Sequence, residues 1–447
     1  MTPEESLSLL MRGIAGLISP VARRDMQAMQ TLPLAPPFSN MTHADWSRSV
    51  RLWLEHGAPL VSTLPYRPCP ACGGARATPL FTSYDGYPFH ECDACASWFV
   101  PKQVDTAVYD AFFATCPEAA ALAAQMTERR EQTLAAADIK RIGEYLDELL
   151  AILAADRAAS LRYLDTGCGV GHSLEAARQR GLHAHGIEVD RPAIEAARSK
   201  GLSVTEPDEP APGSYRLMTF LETLEHINDP LAALQKYVPL LDPGGLVTIT
   251  VPNLASPAVR LLRGDCSYVH GGTNTPGHIN LFHIGALTRL LERAGLVVLD
   301  ADAQYSNNPM ELAGYLLGRS RAVRDMLTNG STAVQVPDLL VQVLNAAWPG
   351  VALLERLALT APILKVVACR PEDVASFAEP IADLQRRRRT HIEDQAEQLL
   401  GGAPDYKSLA AQLQEEVNVR DRMLQELQAK RGRLLRGLKK QIKRWFP

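Results

Sequence analysis

Residues 161–190 read LRYLDTGCGVGHSLEAARQRGLHAHGIEVD and contain the strongest local signal in the chain. An apolar run ends at Asp165, a glycine-rich loop follows, and helix formers continue to Arg180, so the pattern predicts strand, turn and helix. A second apolar run leads into Glu188, which places a carboxylate at the tip of the next strand. Glycines let a backbone approach a ligand, a helix N-terminus offers free N–H groups, and an acid at such a tip can bind ribose hydroxyls. The stretch therefore predicts a nucleotide-binding site.

The spacing of the glycines distinguishes this loop from a dinucleotide-binding fingerprint. It has the form Asp165-x-Gly167-x-Gly169-x-Gly171, which resembles the first motif of class I S-adenosylmethionine-dependent methyltransferases. Three later stretches resemble further segments of that family in the same order: LETLEHINDP at 221–230, LDPGG at 241–245 with an apolar strand after it, and GHINLF at 277–282.

The resemblance implies an α/β fold, with a Rossmann-like seven-stranded methyltransferase sheet that an antiparallel last strand over 363–369 closes. It also implies S-adenosylmethionine as cofactor. The residues that the resemblance assigns to cofactor binding are Asp165, Gly167, Gly169, Gly171, Glu188 and Glu222. Among them, the first four would shape the methionine end of the site, and Glu188 would take the ribose.

A cluster of acids and imidazoles supplies the candidate catalytic residues, Glu225 and His226. An imidazole with a near-neutral pKa suits a general base, so His226 could accept the acceptor's proton. Alternatively, Glu222, Glu225, His226 and His278 resemble the divalent-metal constellation of ubiquinone-pathway O-methyltransferases and small-RNA 2′-O-methyltransferases. A metal there would bind the acceptor hydroxyl and lower its pKa. The sequence leaves both alternatives open, together with a purely structural role for the pair.

Two CxxC pairs, Cys69/Cys72 and Cys92/Cys95, predict a zinc ribbon. Four thiolates at this spacing can surround one Zn²⁺ tetrahedrally, and no open ligand position is implied, so we expect a structural zinc. The N-terminus lacks the basic first region of a secretory signal, which favours metal binding over disulfides. The other cysteines, Cys116, Cys168, Cys266 and Cys369, have no such spacing and are predicted to be buried thiols.

The cysteine pairs, the extent of the family resemblance and a composition shift past Pro371 divide the chain into four predicted parts. They are an N-terminal helical segment over 1–62, the zinc ribbon over 63–103, the methyltransferase domain over 104–375, and a helical or coiled-coil arm over 376–447. Residues 306–361 form a predicted helical insertion in the third part. We interpret this insertion either as a lid over the acceptor site or as a packed, dimerising helical pair.

The C-terminal arm differs in charge from the rest of the chain. The net charge is −4, yet residues 430–444 carry eight basic residues and no acid, so the remainder is acidic. A partial heptad pattern over 409–438 predicts self-association, and the amphipathic end over 433–446 predicts contact with an anionic membrane surface. No apolar run is long enough to span a membrane. We therefore expect a cytoplasmic protein that contacts the inner membrane face peripherally.

A zinc ribbon joined to such a core resembles bacterial enzymes of surface-glycan and sugar-modifying gene clusters, and more distantly the sugar C-methyltransferases. The resemblance implies methyl transfer to a hydroxyl of a sugar or glycan intermediate. One alternative is an RNA methyltransferase that uses the ribbon and the basic tail, although the acidic remainder disfavours nucleic acid as a partner. The others are a sugar C-methyltransferase and a non-catalytic assembly protein that binds S-adenosylmethionine.

Overall fold

The computed structural model describes residues 29–33, 42–153, 161–265, 277–305 and 333–400. The chain divides into two compact units, Met1–Leu384 and Gln385–Pro447. All the candidate site residues belong to the first unit.

The strands in chain order are β1 Met29–Pro33, β2 Ala77–Thr82, β3 Pro88–Cys92, β4 Trp98–Phe99, β5 Arg162–Thr166, β6 His183–Ile187, β7 Val204–Thr205, β8 Tyr215–Leu221, β9 Leu241–Pro252, β10 Asn280–Leu281, β11 Val297–Gln304, β12 Ala333–Pro337 and β13 Ile363–Cys369. The α-helices are α1 His43–Leu52, α2 Ala58–Thr63, α3 Thr106–Thr115, α4 Pro117–Ile152, α5 His172–Gln179, α6 Arg191–Ser199, α7 Pro230–Tyr237, α8 Pro257–Leu262, α9 Ile284–Arg293, α10 Asp338–Leu357 and α11 Ala378–Leu400.

Seven strands form the central sheet in the order β11-β13-β9-β8-β5-β6-β7. Strands β5 to β9 pair in parallel, whereas β13 lies antiparallel between β9 and β11. The predicted Rossmann-like sheet and its antiparallel closing strand are therefore confirmed.

Both faces of this sheet are buried, which is usual where helices connect parallel strands. Leu164 and Met218 belong to one apolar core, with residues of α7 and α9. Their neighbours Tyr163 and Leu217 belong to a second core, with residues of α4, α5 and α6. The alternation of side chains along each strand thus places a helical layer on either face.

The LDPGG segment at 241–245, which precedes the apolar strand in the sequence, lies inside that strand in the structure. β9 begins at Leu241, and its register with β8 shifts from Tyr215 opposite Leu241 to Leu217 opposite Leu246. The four residues Asp242–Gly245 lie between these two paired positions and have no partner of their own in that register. Gly244, within them, has φ +69°. A bulge accommodates extra residues on one strand without ending the pairing, so the strand is longer than the turn residues suggest.

The N-terminal segment and the insertion, both predicted as helical, each contain a strand in addition to helices. β1 and β12 form an antiparallel pair, from Met29 opposite Pro337 to Pro33 opposite Ala333. Helices α1 and α2 lie in the first of these parts, and α10 lies in the second. Local composition could not reveal the pair, because its strands lie some 300 positions apart in the sequence.

The predicted ribbon contributes strands to a second sheet, of order β10-β4-β3-β2. The first strand in this order, β10, comes from the segment after His278, with Asn280 opposite Phe99 and Leu281 opposite Trp98. The ribbon cysteines also belong to the same apolar core as α9. Residues 63–103 are therefore paired and packed with segments of the predicted methyltransferase domain.

Helix α11 includes the start of the predicted arm. The heptad pattern over 409–438 and the basic end over 433–446 lie outside the described residues, so self-association and membrane contact stay predictions. None of the helices within the described ranges has the length and apolar character needed to cross a membrane. Of the four cysteines predicted to be buried thiols, Cys116, Cys168 and Cys369 are buried, and Cys266 lies outside the described residues.

Candidate functional site

The site lies at the carboxyl edge of the sheet, where the strand order reverses. From β5 the sheet continues through β6 and β7 on one side and through β8 and β9 on the other. Ligands of open α/β sheets bind in the crevice at such a point. The glycine loop follows β5, Glu188 follows β6, and the segment 222–226 follows β8. The topology therefore brings together three segments that the sequence singled out.

The glycine loop is held tightly against the next strand. The backbone N–H groups of Gly167 and Cys168 donate to the carbonyl oxygen of Ile187, at 2.8 and 3.1 Å. Gly167, Gly169 and Gly171 have φ values of +80°, +54° and +89°, a region where L side chains are strained. A Cβ on Gly167 would lie 2.6 Å from Thr223, whereas one on Gly169 would meet nothing within 4 Å. The loop thus needs glycine at 167 for space as well as for conformation.

Asp165, in the strand before the glycine loop, connects that strand to its neighbours through its carboxylate. The residue is 2% exposed, and its carboxylate accepts hydrogen bonds from the hydroxyls of Ser173 and Thr219, the latter at 2.5 Å. Burial raises the pKa of this carboxyl to about 7, and the charge of Glu188 adds to the rise. Asp165 therefore ties β5 to α5 and β8, and both of its oxygens are engaged within the protein.

Glu188 is fixed by backbone N–H groups. Its Oε2 accepts from Gly169 at 2.7 Å, and its Oε1 accepts from Val189 and Asp190 at 2.7 and 2.9 Å. A carboxylate offers about four acceptor sites, so about one is left for a ligand. The geometry is compatible with a ribose hydroxyl, and it also links the acid directly to the glycine loop.

Helix α4 covers the glycine loop through a polar network that the sequence reading missed. His172, the first residue of α5, lies 3.1 Å from Glu131 and 3.3 Å from Asp138 through its two ring nitrogens. Lys200 contacts Glu131 at 2.5 Å and donates to the carbonyl of Val170 at 2.9 Å. The sequence gives one sign of this network, the titratable His172 directly after the last loop glycine. Its partners lie more than 30 positions away, so the sequence does not identify them.

Glu222 begins the segment after β8 in a strained conformation. Its φ is +51°, a region that costs a non-glycine residue about 1 kcal/mol or more. The backbone N–H of Glu222 donates to Thr250, reaching the carbonyl oxygen at 3.0 Å. Burial raises the pKa of its carboxyl, partly offset by a hydrogen bond from Thr250 and by the charge of Arg141. Residues held in this way concentrate at functional sites.

Glu225, His226 and His278 converge. One donor atom from each lies within 4.8 Å of the others, and the two imidazole rings have their centroids 4.8 Å apart. The Glu225 side chain is fully buried, and among the described residues neither of its oxygens has a hydrogen-bond partner. His278 Nε2 lies 3.9 Å from Glu225 Oε1. Glu222 is outside this set of donor atoms, so three of the four predicted ligands meet.

Burial raises the pKa of the Glu225 carboxyl well above its ordinary value, and repulsion from Glu222 raises it further. A buried carboxyl without hydrogen bonds is costly unless a positive charge compensates it. The nearby imidazoles are one source of such a charge, and a cation held by the three side chains is another. The arrangement therefore has the properties of a ligand site.

The four ribbon thiols also converge. All four Sγ atoms lie within 4.8 Å of one another, with Cys69–Cys95 at 3.6 Å and Cys72–Cys92 at 3.5 Å. A tetrahedral Zn²⁺ with bonds of about 2.3 Å would separate its sulfur ligands by about 3.8 Å. The backbone turns at both pairs, where Gly73 donates to the Cys69 carbonyl and Ala96 donates to the Cys92 carbonyl, each at 2.8 Å. The donor set fits zinc in number, type and spacing.

Comparisons with known proteins match part of this chain. Residues 129–301 match a family model described as a methyltransferase domain. A ubiquinone biosynthesis O-methyltransferase of Aeromonas salmonicida is 31% identical over 154 residues, which cover 31% of this chain and 64% of that protein. The protein of the same name from Pseudomonas aeruginosa is 33% identical over 106 residues, covering 21% and 46%.

The chain matches only part of the length of these relatives. Over the first three, the chain spans between 42% and 64% of the relative's own length. Among solved structures, an Archaeoglobus fulgidus SAM-dependent methyltransferase is 17% identical, with 54% of this chain and 96% of that chain covered and a TM-score of 0.35.

Proposed function

We propose, from the premise that residues 129–301 form a class I S-adenosylmethionine-dependent methyltransferase domain, that the chain transfers a methyl group to a hydroxyl oxygen of its acceptor. The observation that carries the proposal is the buried Glu225 carboxylate, which faces His226 and His278 without hydrogen bonds among the described residues. This cluster lies at the sheet edge that also bears the glycine loop.

The reaction is an in-line displacement, and the protein's main task is to align the acceptor with the methyl group. The acceptor oxygen forms a bond to the methyl carbon while the carbon–sulfur bond breaks, and the bonding electrons return to sulfur. The hydroxyl proton leaves to His226 or to solvent. Because a hydroxyl is a poor nucleophile while protonated, a group that removes or weakens that proton accelerates the step.

Glu225, His226 and His278 would hold a divalent cation. The fit rests on a fully buried carboxylate without hydrogen bonds among the described residues, together with two imidazoles, a donor set that suits ions such as Mn²⁺, Fe²⁺ or Zn²⁺. Such an ion, when bound, supplies a positive charge that lowers the pKa of an acceptor hydroxyl and fixes its oxygen. The alternative, with His226 as base and no cation, uses the same residues.

The proposed acceptor is a sugar or glycan intermediate. The support is the ribbon joined to this core, the combination whose resemblance implies a sugar-modifying enzyme. A second candidate is an acceptor of ubiquinone biosynthesis, which the printed names of the relatives favour. Both acceptors are methylated on oxygen, so the same cluster would serve either one.

We also propose that Cys69, Cys72, Cys92 and Cys95 bind one structural zinc ion. The separations of their sulfur atoms agree with a tetrahedral site. Three of the cysteines belong to the apolar core that includes α9, and Cys72 packs against that core. A closed set of four thiolates leaves no position for substrate.

The experiment that tests the function uses the full chain with radiolabelled S-adenosylmethionine. Separate fractions of lipid-linked glycan, nucleotide sugars, quinone lipids and RNA are offered as acceptors. Label in a glycan or sugar fraction supports the first candidate, and label in quinone lipids supports the second. Label confined to RNA, or no label although the cofactor binds, would overturn methyl transfer to these hydroxyls.

The variants Glu225→Gln and His226→Ala test the residues. Each is expected to bind the cofactor as the parent does and to turn over at least about 100-fold more slowly, the usual loss when acid–base assistance is removed. Glu195→Gln, on the exposed face of α6, is the matched control. Loss of activity in a mild chelator, with the ribbon zinc still present by elemental analysis, would favour the cation over His226 alone. Parent-like turnover of both variants would remove the cluster from the mechanism.

A further inference from the structure

Arg67, two residues before the first ribbon cysteine, is a buried cation with an unusual set of partners. It is 8% exposed, and its Nε donates to the carbonyl of Val100 at 2.9 Å. Its Nη2 donates to the carbonyl of Ile279 at 3.1 Å and to the side-chain oxygen of Asn280 at 2.7 Å. Its Nη1 donates to the carbonyl of Asn228.

These acceptors lie on the segments that carry the candidate cation ligands. Asn228 is two residues after His226, and Ile279 directly follows His278. The amide of Asn280 closes the arrangement, because its Nδ2 donates to the carbonyls of Leu224 and Ile227 at 3.0 and 2.7 Å. The Arg67 guanidinium therefore bridges both segments from the side of the ribbon.

A direct backbone link joins the same two segments. The N–H groups of Ile279 and Asn280 donate to the carbonyl of Glu225, at 2.8 and 3.1 Å. Arg67 is thus the third element of a junction that fixes residues 224–228 against 279–280. Because Glu225, His226 and His278 are attached to this junction, a shift of one segment against the other changes the distances between their donor atoms.

The charge of Arg67 interacts electrostatically with Cys69 of the ribbon and with Asp229 of the segment after β8. Within the described ranges its guanidinium forms no ion pair with a carboxylate, and the nearest acceptors are carbonyl oxygens. A zinc ion with four thiolates carries a net charge of −2, and Arg67 is in the same chain segment as Cys69. A buried cation with this environment is costly unless its hydrogen bonds are well placed.

We propose that Arg67 is a positioning residue, which sets the spacing of Glu225, His226 and His278, and that the zinc ribbon serves as its support. The inference rests on the proposed function of that cluster. It gives the ribbon a role in methyl transfer without contact to cofactor or acceptor: the ribbon holds the planar guanidinium where it can bridge two loops of the catalytic domain.

The decisive variant is Arg67→Lys. Lysine keeps the positive charge, but its single ammonium cannot reproduce the planar fork whose three nitrogens reach four acceptors in different directions. Arg289→Gln is the matched control, because Arg289 also joins α9 to the ribbon, through the carbonyl of Ala94 at 2.8 Å. Within the described part of the chain, Arg289 forms no hydrogen bond or ion pair with residues 224–228 or 279–280. The two variants therefore separate loss of a ribbon contact from loss of the bridge.

Three measurements on the zinc-loaded chain of residues 1–447 test the inference. Zinc content and S-adenosylmethionine affinity are expected to match the parent in both variants. Mn²⁺ affinity, measured by electron paramagnetic resonance of the free ion, is expected to fall at least 10-fold in Arg67→Lys and to stay unchanged in Arg289→Gln. Parent-like Mn²⁺ affinity in Arg67→Lys would overturn the inference and leave the proposed function intact.

A metal-independent readout keeps the two proposals distinguishable. In ¹⁵N-histidine-labelled protein without added Mn²⁺, the imidazole signals of His226 and His278 are expected to shift in Arg67→Lys and not in Arg289→Gln. If the parent binds no Mn²⁺, the cation proposal fails while these signals still decide the positioning role. Unshifted signals would refute that role. Should Arg67→Lys not fold, Asn280→Asp, which removes the two donations to Leu224 and Ile227, is expected to shift the same signals.

Discussion

Replacing Gly167 by alanine tests whether the glycine loop and the segment after β8 are packed as one unit. The new Cβ would lie 2.6 Å from both Oγ1 and Cγ2 of Thr223, closer than real Cβ atoms approach other heavy atoms. Thr223 cannot retreat easily, because its hydroxyl lies 3.0 Å from the carbonyl of Thr166 and 3.1 Å from that of Leu221. The segment that carries Glu225 and His226 must therefore move.

The cost has two parts. An alanine at φ +80° is strained by about 1–2 kcal/mol relative to glycine, and overpacking in a well-packed region adds about 1–3 kcal/mol. Gly201→Ala isolates the first part, because Gly201 has a similar φ of +75° and its Cβ would meet nothing within 4 Å. We therefore expect Gly167→Ala to lower the free energy of unfolding by about 2–5 kcal/mol and Gly201→Ala by about 1–2 kcal/mol.

The assay is urea unfolding of both variants and the parent, followed by calorimetric titration with S-adenosylmethionine. Displacement of the loop is expected to weaken cofactor binding by Gly167→Ala at least about 10-fold, which corresponds to about 1.4 kcal/mol, and to leave Gly201→Ala near the parent. Equal stability losses in the two variants would show that Thr223 yields without cost. Parent-like cofactor affinity in Gly167→Ala would refute the placement of the loop in the cofactor site.

Two further predictions concern Asp165 and the ribbon. Burial raises the pKa of Asp165 to about 7, and the titratable groups that interact with it are Glu188, Tyr163 and Cys168. The folded chain therefore keeps a proton that the unfolded chain releases between about pH 4 and pH 7. The contribution of Asp165 to the free energy of unfolding falls as pH rises through that window, by up to about 4 kcal/mol. Asp165→Asn should remove this part of the pH dependence, as measured by urea unfolding at pH 5 and 8. An unchanged pH dependence in the variant would contradict the assignment. Cys92→Ser is expected to lose the bound zinc and to lower the unfolding midpoint, while Cys116→Ser, a buried thiol outside the set, should retain one zinc per chain by elemental analysis; full zinc content in Cys92→Ser would refute the ribbon site.

The parts of the site that the sequence predicted are local in the chain. The strand, glycine turn and helix around Asp165 follow from residues next to one another, since apolar runs and glycines fix the backbone there. The two CxxC pairs are equally local. Their thiols converge because a backbone hydrogen bond closes a turn at each pair. His278 was predicted from the family resemblance, and the antiparallel pairing of β10 with β4 explains why this distant residue lies beside the ribbon.

The parts that were missed depend on contacts between distant residues. Arg67 reaches carbonyl groups 161 and 212 positions further along the chain, and carbonyls leave no signature in an amino-acid sequence. Arginine side chains are also mostly exposed in folded proteins, so the residue type alone does not predict burial. The network of His172 with Glu131 and Asp138 depends in the same way on where α4 crosses the glycine loop. Only the packed structure reveals either arrangement.

Two fully buried carboxyls at this sheet edge show how structure separates a structural acid from a ligand-facing one. Asp165 accepts from two hydroxyls, so its oxygens are satisfied inside the protein and it needs no ligand. Glu225 is engaged through its backbone carbonyl instead, while its side-chain oxygens have no hydrogen bonds among the described residues. A residue selected only for packing gains nothing from a buried carboxylate in that state, because the desolvation cost is not offset. A positively charged ligand or a protonated imidazole would offset it, which is why Glu225, rather than the better-bonded Asp165, is the acid to test in methyl transfer.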